Sequence, residues 1–175
     1  FKQLADIDVF DIELNAPSPY DVIQICQALE PTFGGINLED IKAPDCFVIE
    51  DTLKKTMKIP VFHDDQHGTA IVVLAGLINS LKVKKADKEK VKVVINGSGA
   101  AGIAGAKILI RYGFKHLIIL DSLGIIYEGR KDLNKYKKEM ATLTNHELVK
   151  GDLVTALKGA DIFIGVSKPN LVTED

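Results

Sequence analysis

The sequence contains no tryptophan, few aromatic residues (6%) and only two cysteines in 175 residues. Cys26 and Cys46 lack C-x-x-C spacing, so we expect buried free thiols and no thiol-based metal or redox motif. No apolar run approaches the roughly 18 residues that a membrane-spanning helix needs. The first residues also lack the basic-then-apolar pattern of a secretory signal. We therefore expect a cytoplasmic protein with no membrane partner.

An excess of charge of one sign is also absent, since 22 Lys and Arg residues face 24 Asp and Glu residues. A formal net charge of -2 provides no general field that attracts polyanions, so no nucleic-acid partner is expected. The composition, 46% hydrophobic and 26% charged, is typical of a globular domain. It excludes disordered, collagen-like and coiled-coil chains.

Strand and helix patterns alternate along most of the chain, which predicts an α/β fold with a parallel sheet covered by helices on both faces. The charged stretch 82–90 is typical of a domain boundary, which would divide residues 1–85 from residues 86–175. The predicted strands are 7–14, 35–38, 59–62, 91–96, 116–121 and 161–166. The predicted helices are 18–30, 45–55, 69–81, 103–111, 132–140 and 153–158, with a further helix start at 173–175.

A G-x-G-x-x-G motif lies between a predicted strand and a predicted helix. Its residues are Gly97, Ser98, Gly99, Ala100, Ala101 and Gly102. Three glycines in six residues are weak by themselves, but this context is that of a dinucleotide-binding turn. Gly97 would permit the tight turn, Gly99 would leave room for a pyrophosphate, and Gly102 would allow close packing. The first amides of the helix, near Ala100 and Ala101, would face the phosphates.

Asp121 ends the next predicted strand, about 20 residues after the motif, where an acid can accept hydrogen bonds from the adenosine ribose. Its charge would oppose a 2'-phosphate, which favours NAD over NADP. NADP stays possible, because Arg130 and Lys131 could receive a phosphate if their loop folded back. The alternative is that the glycines merely form a tight turn and that Asp121 is an ordinary acid at a strand end.

Two acidic pairs, Glu39-Asp40 and Asp64-Asp65, each follow a short predicted strand. Carboxyl ends of parallel strands meet at one edge of a sheet, so the four carboxylates would converge there. Such a cluster requires protonation, basic partners or a cation. A hard divalent ion such as Mg²⁺ or Mn²⁺ suits oxygen ligands. The alternative is that these acids cap the helices that follow them.

His63 and His67 have the four-residue separation of the zinc motif H-E-x-x-H. That motif needs a helix to place both rings on one face, and this segment follows a strand and runs into Gly68. The motif's glutamate is replaced by Asp64. We therefore do not expect zinc.

Several runs of residues resemble the bacterial-type malic enzymes. They are FGGINLEDIKAPDCFVIE at 33–50, IPVFHDDQHGTAIV at 59–72, VVINGSGAAGIA at 93–104 and GADIFIGVS at 159–167. The first two are far more specific than the glycine motif, and the resemblance extends over nearly the whole chain. It implies that a portion of an α/β substrate and metal domain (1–85) precedes the first portion of a Rossmann-like, doubly wound cofactor domain (86–175).

The resemblance implies oxidative decarboxylation of malate to pyruvate and CO₂, with reduction of NAD or NADP and a requirement for Mg²⁺ or Mn²⁺. The positions that match the family's metal ligands are Glu39, Asp40 and Asp65. Asp64 matches an acid that supports catalysis near the family's catalytic lysine. The resemblance also implies a homo-oligomer, a dimer or larger.

The family takes its general acid from a Tyr-Thr-Pro-Gly segment and its base from a Glu-Gly-Lys segment, and this sequence contains neither. The resemblance places both segments upstream of Phe1. We therefore interpret the chain as an internal segment that is inactive by itself. Two alternatives stay open at this point. One is a malolactic enzyme, which releases lactate, and the other is a non-catalytic dinucleotide-binding or regulatory module.

Overall fold

The computed structural model describes residues 1–172, and the helix start predicted at 173–175 lies outside them. The helices are α1 (Lys2–Ala5), α2 (Pro19–Leu29), α3 (Asp45–Thr56), α4 (Thr69–Lys84), α5 (Ala100–Tyr112), α6 (Lys135–Leu143) and α7 (Leu153–Leu157). A π-helical turn, Asp64–Gly68, leads directly into α4. The strands are β1 (Ile36–Leu38), β2 (Val61–His63), β3 (Lys92–Asn96), β4 (His116–Asp121), β5 (Gly124–Ile125) and β6 (Ile162–Gly165).

The N-terminal portion of the chain contains a two-stranded parallel sheet, in which Leu38 of β1 lies opposite His63 of β2. Helix α2 begins as predicted, with Pro19 in its first turn and the Ser18 side chain accepting a hydrogen bond from the Asp21 N–H. Helices α2 and α3 cover the sheet with a small apolar core. Its buried members include Cys26, Ile49 and Leu53.

The strand predicted at 7–14 is wrong, because none of these residues is in a strand. The side chains of Ile7, Val9 and Phe10 are exposed, Phe10 at 73%. A strand needs a neighbour for its backbone hydrogen bonds, and no strand of residues 1–172 pairs with this segment. Alternation of apolar residues is therefore an insufficient signal here.

The C-terminal portion contains a four-stranded sheet in the order β5-β4-β3-β6, and β3 is parallel to both β4 and β6. Successive residues of β3 point to opposite faces: Val93 and Ile95 pack in the core that contains α5, and Val94 packs against Ala156 of α7. The predicted α/β class, with a mainly parallel sheet and helices on both faces, is confirmed.

The larger core extends across the predicted boundary at residue 85. Cys46, Phe47 and Leu77 lie in the same buried cluster as Val93 and Leu109. Helix α4 also continues into the predicted linker 82–90 and ends at Lys84, followed by Lys85, whose backbone is left-handed. The division between residues 1–85 and residues 86–175 stays a prediction.

Three local details differ from the sequence predictions. Strand β5 is unpredicted, and it pairs antiparallel with β4. Helix α5 begins at Ala100, within the glycine motif and three residues earlier than predicted. The helix predicted at 132–140 is α6, which starts later because Asn134 caps it by accepting a hydrogen bond from the Lys137 N–H.

The buried free thiols are confirmed, since Cys26 and Cys46 are both free and buried. Burial raises the pKa of the Cys46 thiol to about 11, so the thiol is protonated at neutral pH. No helix within residues 1–172 has both the length and the apolar character needed to cross a membrane.

Candidate functional site

The glycine turn lies at the carboxyl end of β3, the strand at which the order of the sheet reverses. The chain passes from β3 to β4 on one side and later places β6 on the other side. Ligands of open α/β sheets bind in the crevice at such a reversal. The turn also begins α5, whose first turn has no side-chain cap and no acidic residue. These features make this end of β3 the candidate cofactor site.

The three glycines of the turn differ in whether the local structure requires glycine at their positions. Gly97 has φ +125°, and a Cβ there would lie 2.6 Å from the Val166 carbonyl oxygen. A Cβ at Gly102 would overlap the Gly97 carbonyl oxygen and lie 2.8 Å from its carbon. A Cβ at Gly99 would meet nothing within 4 Å. The predicted tight turn at Gly97 and close packing at Gly102 are confirmed, and phosphate binding in the open space beside Gly99 stays a prediction.

The carboxylate of Asp121 at the end of β4 is enclosed by cations. Only 6% of its side chain is exposed. Its Oδ1 accepts hydrogen bonds from the Leu123 N–H at 2.9 Å and from Arg130 Nη2 at 2.8 Å. Its Oδ2 accepts from Lys137 Nζ at 2.6 Å and from Arg130 Nη2 at 3.0 Å. Burial raises the pKa of Asp121, but the hydrogen bonds from Lys137 and Arg130 outweigh burial and hold the pKa below its usual range.

These contacts bear on the choice of cofactor. The loop after β5 does fold back, because Arg130 Nη1 donates to the carbonyl oxygens of Gly124 and Ile125, each at 3.2 Å. The predicted preference for NAD depends on an unpaired negative charge at Asp121, and the structure pairs that charge with two cations. The preference therefore no longer follows from this charge, and the ribose contact of Asp121 stays a prediction. Sequence reasoning misses Lys137, which is 16 positions from Asp121 and carries no motif.

We expect Asp121→Asn to destabilise the chain by about 2 to 4 kcal/mol at pH 7, because it removes the buried carboxylate that two cations need. The pKa of Asp121 is lower in the folded state, so its stabilisation is present above about pH 4, the usual Asp range, and is lost as the pH falls further. The variant should thus lose less stability than the wild type between pH 5 and pH 3. Urea unfolding at both pH values measures this.

The matched control is Asp132→Asn, which removes the other carboxylate partner of Arg130. Its side chain is 45% exposed, and its Oδ2 lies 2.6 Å from Arg130 Nη2. An exposed pair contributes about 0 to 1 kcal/mol. Equal destabilisation by the two variants at pH 7 would contradict the buried role of Asp121.

The predicted metal ligands lie at one edge of the small sheet. Because Leu38 pairs with His63, the acidic pairs that follow β1 and β2 are neighbours. The Asp40 N–H donates a hydrogen bond to Asp65 Oδ2 at 3.2 Å, so the structure brings Asp40 and Asp65 together. The Glu39 carboxylate instead accepts a hydrogen bond from Asn37 Nδ2 at 2.7 Å. Within residues 1–172, no three or more His, Cys, Asp or Glu side chains are arranged to hold a metal ion.

The segment after β2 differs from the prediction, because Asp64–Gly68 is a π-helical turn and is therefore helical. The Asp64 carboxylate folds over this turn, where a Cβ at Gly68 would overlap its Oδ1. His63 and His67 nevertheless do not face a common site. The His63 Nδ1 accepts a hydrogen bond from the Gln66 N–H at 3.2 Å, and the His67 Nε2 lies 2.7 Å from Glu50 Oε1.

Glu50 of α3 anchors the π-helical turn, and only 5% of its side chain is exposed. Its carboxylate contacts His67, accepts a hydrogen bond from Gln66 Nε2 at 3.3 Å and forms an ion pair with Lys54 Nζ at 2.7 Å. Sequence reasoning did not identify Glu50, because nothing in its sequence spacing marks it as a partner of the turn. These residues also border a cavity of about 560 Å³, whose lining contains none of the predicted site residues.

The resemblance places the general acid and the general base upstream of Phe1. Phe1 itself is not a predicted site residue. Its side chain is 58% exposed. Its carbonyl oxygen accepts hydrogen bonds from the N–H groups of Leu4 at 3.2 Å and Ala5 at 2.8 Å, which form the single turn of α1. Phe1 therefore has a local role at the start of α1, and the position of the acid and the base upstream of it stays a prediction.

The residues at the acidic edge fit a divalent cation in chemistry, and two of them, Asp40 and Asp65, already lie together. All three predicted ligands offer hard carboxylate oxygens, and they follow two paired strands. A buried polar atom without a hydrogen-bond partner, Nε2 of His63, lies 4.0 Å from Asp65 Oδ2. To act as a ligand with Asp40 and Asp65, Glu39 must break its hydrogen bond with Asn37.

Residues 66–174 match the protein family described as malic enzyme, NAD binding domain. The chain is 50% identical to the bifunctional malic/malolactic enzyme of Bacillus subtilis, covering 100% of this chain and 43% of that protein. It is 51% identical to the NAD-dependent malic enzyme of Geobacillus stearothermophilus (98% and 36%). It is 47% identical to the NADP-dependent malic enzyme of Escherichia coli (100% and 23%).

Solved structures agree with these matches. The NAD-dependent malic enzyme of Thermotoga maritima superposes with a TM-score of 0.95 at 50% identity, covering 98% of this chain and 46% of that one. The malic enzyme of Pyrococcus horikoshii gives 0.88 at 40% identity (96% and 41%). The chain therefore spans less than half the length of each of these proteins.

Proposed function

The chain belongs to the malic enzyme family, and on this premise we propose that it forms the cofactor- and metal-binding portion of a malate-oxidising enzyme. The complete enzyme would convert malate and NAD(P)⁺ to pyruvate, CO₂ and NAD(P)H. The observation that carries this proposal is the glycine turn at the point where the sheet reverses, with open space beside Gly99.

The cofactor would lie across the carboxyl end of β3. The N–H groups of Ala100 and Ala101 begin a helix without a side-chain cap, so they are available to a pyrophosphate. Ser98 lies in the turn, and Asp121 would contact the ribose next to its two cations. A bound NAD(P)⁺ would supply the acceptor for the hydride that leaves C2 of malate. The relatives named as NAD-dependent and NADP-dependent enzymes match this chain similarly well, so we propose NAD(P) without a further preference.

The acidic edge would hold Mg²⁺ or Mn²⁺ through Glu39, Asp40 and Asp65. A bound divalent cation supplies Lewis-acid stabilisation of negative charge on a substrate oxygen. Asp40 and Asp65 already contact each other through the 3.2 Å backbone hydrogen bond. Asp64 would support the catalytic lysine, which the resemblance places outside this sequence. Proton transfer thus depends on residues that the chain does not contain, and we expect the chain by itself to be inactive.

A malolactic enzyme is the second candidate, because one relative at 50% identity is named as a bifunctional malic/malolactic enzyme. The two reactions differ in product, since a malolactic enzyme converts malate to lactate and CO₂ without net reduction of the cofactor. A non-catalytic dinucleotide-binding module is the third candidate. The missing tyrosine and lysine segments favour it for the chain in isolation.

The test of the proposed function is turnover by the full-length protein. With malate, Mn²⁺ and NAD or NADP, we expect pyruvate and reduced cofactor to form in equal amounts, and EDTA to stop the reaction. Lactate without reduced cofactor would support the malolactic alternative. Cofactor binding without any loss of malate would support the non-catalytic module.

We also propose that the enzyme is a cytoplasmic homo-oligomer. Supporting the oligomer, large apolar side chains of the first residues are exposed, with Leu4 at 91% and Phe10 at 73%. Exposed apolar surface of this kind is typical of interfaces. Light scattering of the full-length protein should give a mass of at least two subunits.

A further inference from the structure

His63 carries a polar atom that the fold leaves unexplained. Its side chain, at the end of β2, is 0% exposed. Among the described residues 1–172, its Nε2 is the one buried side-chain nitrogen or oxygen without a hydrogen-bond partner. Buried polar atoms in proteins are normally paired, so such an atom requires a specific reason.

The hydrogen bond at the other ring nitrogen, Nδ1, defines the tautomer of the His63 ring. The backbone N–H of Gln66 donates to Nδ1 at 3.2 Å, so Nδ1 offers a lone pair and the ring proton is on Nε2. The buried Nε2, which has no partner within the described part of the chain, is therefore a hydrogen-bond donor. Asp65 Oδ2, a carboxylate oxygen, lies 4.0 Å away and makes no hydrogen bond with it in this structure.

The π-helical turn, which follows His63 and contains Asp65, is held by a residue of α3. Glu50 of α3, with a side chain only 5% exposed, accepts a hydrogen bond from Gln66 Nε2 and contacts His67. Gln66 thus contacts Glu50 through its side chain and His63 through its backbone. This arrangement fixes the His63 ring relative to the turn, with its buried Nε2 4.0 Å from Asp65 Oδ2.

We propose that His63 is a positioning residue for Asp65. A small movement of the Asp65 carboxylate would bring one of its oxygens within hydrogen-bond distance of the His63 Nε2–H, and this bond would orient the carboxylate and leave its other oxygen for a divalent cation. Histidines and carboxylates around metal ligands act in this way in many metal sites. The inference rests on the proposed function, in which Asp65 is a metal ligand.

Two substitutions distinguish the roles of the two ring nitrogens of His63. His63→Gln places an amide N–H near the position of Nε2, and so it keeps the donor towards Asp65. His63→Asn places an acceptor near the position of Nδ1, and so it keeps the contact with the Gln66 N–H but loses the donor. His146→Asn, a change at an exposed histidine, is the control, and Asp65→Asn is the reference for loss of the metal ligand.

The measurements are Mn²⁺ affinity without malate and the melting temperature without metal. We expect His63→Asn to weaken Mn²⁺ binding by about 10- to 100-fold, as for outer-shell partners of metal ligands. His63→Gln should restore most of that affinity, and His146→Asn should bind as the wild type does. Both His63 variants should melt within a few degrees of each other, so a general loss of packing cannot produce the difference in affinity.

The outcomes distinguish the inference from the proposed function. If Asp65→Asn weakens Mn²⁺ binding and His63→Asn binds as the wild type, the positioning role is wrong. Equal losses in the Gln and Asn variants would also overturn it. If Asp65→Asn itself leaves Mn²⁺ binding unchanged, the metal site fails and the inference fails with it.

A measurement on the wild-type His63 side chain keeps the test independent of His63 variants that fail to fold. In the metal-free chain with ¹⁵N-labelled histidine, we expect His63 to carry its proton on Nε2, and its resonances to shift in Asp65→Asn. A proton on Nδ1, or His63 resonances that are unchanged in Asp65→Asn, would overturn the proposal.

Discussion

Asp65→Asn should weaken Mn²⁺ binding by at least about 100-fold, more than the loss typical of outer-shell partners, and should remove nearly all malate oxidation by the full-length protein. The change deletes one negative charge from a set of three predicted ligands, and ligand charge governs affinity for hard cations. Asparagine keeps a side-chain oxygen that can accept the hydrogen bond from the Asp40 N–H, which lies 3.2 Å from Asp65 Oδ2 in the wild type. The fold should therefore persist. Mn²⁺ titration and kcat/KM for malate measure the two effects.

The control for this prediction is Glu147→Gln, which removes one negative charge from an exposed residue outside the predicted site. It should bind Mn²⁺ and oxidise malate as the wild type does. Full activity of Asp65→Asn, or an equal loss in Glu147→Gln, would show that Asp65 is not a metal ligand.

Gly102→Ala should destabilise the chain by about 3 kcal/mol or more, at or above the upper end of the usual range for a single substitution. Its Cβ would overlap the carbonyl oxygen of Gly97 and lie 2.8 Å from the carbonyl carbon, and both are backbone atoms of the turn. The turn must open to admit the methyl group, so NAD(P) binding should be lost as well. At about 2 to 4 °C for each kcal/mol in a chain of this size, the melting temperature should fall by about 6 to 12 °C.

Gly105→Ala is the matched control in the same helix. A Cβ at Gly105 would meet nothing within 4 Å, and alanine is favoured over glycine inside a helix by about 1 kcal/mol. The melting temperature should therefore stay the same or rise slightly, with cofactor binding unchanged. Similar melting temperatures for the two variants would contradict the close approach of Gly102 to Gly97.

Local signals in the sequence predict much of this fold. The Ser18 cap and Pro19 define the start of α2, and the buried run before Gly97 defines β3, because each depends on neighbouring residues alone. The segment 7–14 shows the limit of such signals. Its alternation of apolar residues matches a strand, but a strand requires a partner from elsewhere in the chain.

The candidate site shows the same limit. Spacing identifies the glycine turn and the acidic pairs. It does not reveal that Arg130 and Lys137 enclose Asp121, or that Glu50 anchors the π-helical turn, because these contacts join separate elements. The histidines that resemble a broken zinc motif are placed by the turn itself, one against the Gln66 N–H and the other against Glu50.

The central claim is that this chain holds the cofactor and the metal, whereas proton transfer needs residues outside it. Titration of the 175-residue chain with NAD and Mn²⁺, with malate present and reduced cofactor monitored in the same samples, tests this claim most directly. We predict saturable binding of both ligands and no formation of NADH. Failure to bind either ligand, or steady formation of NADH by the chain alone, would contradict the claim.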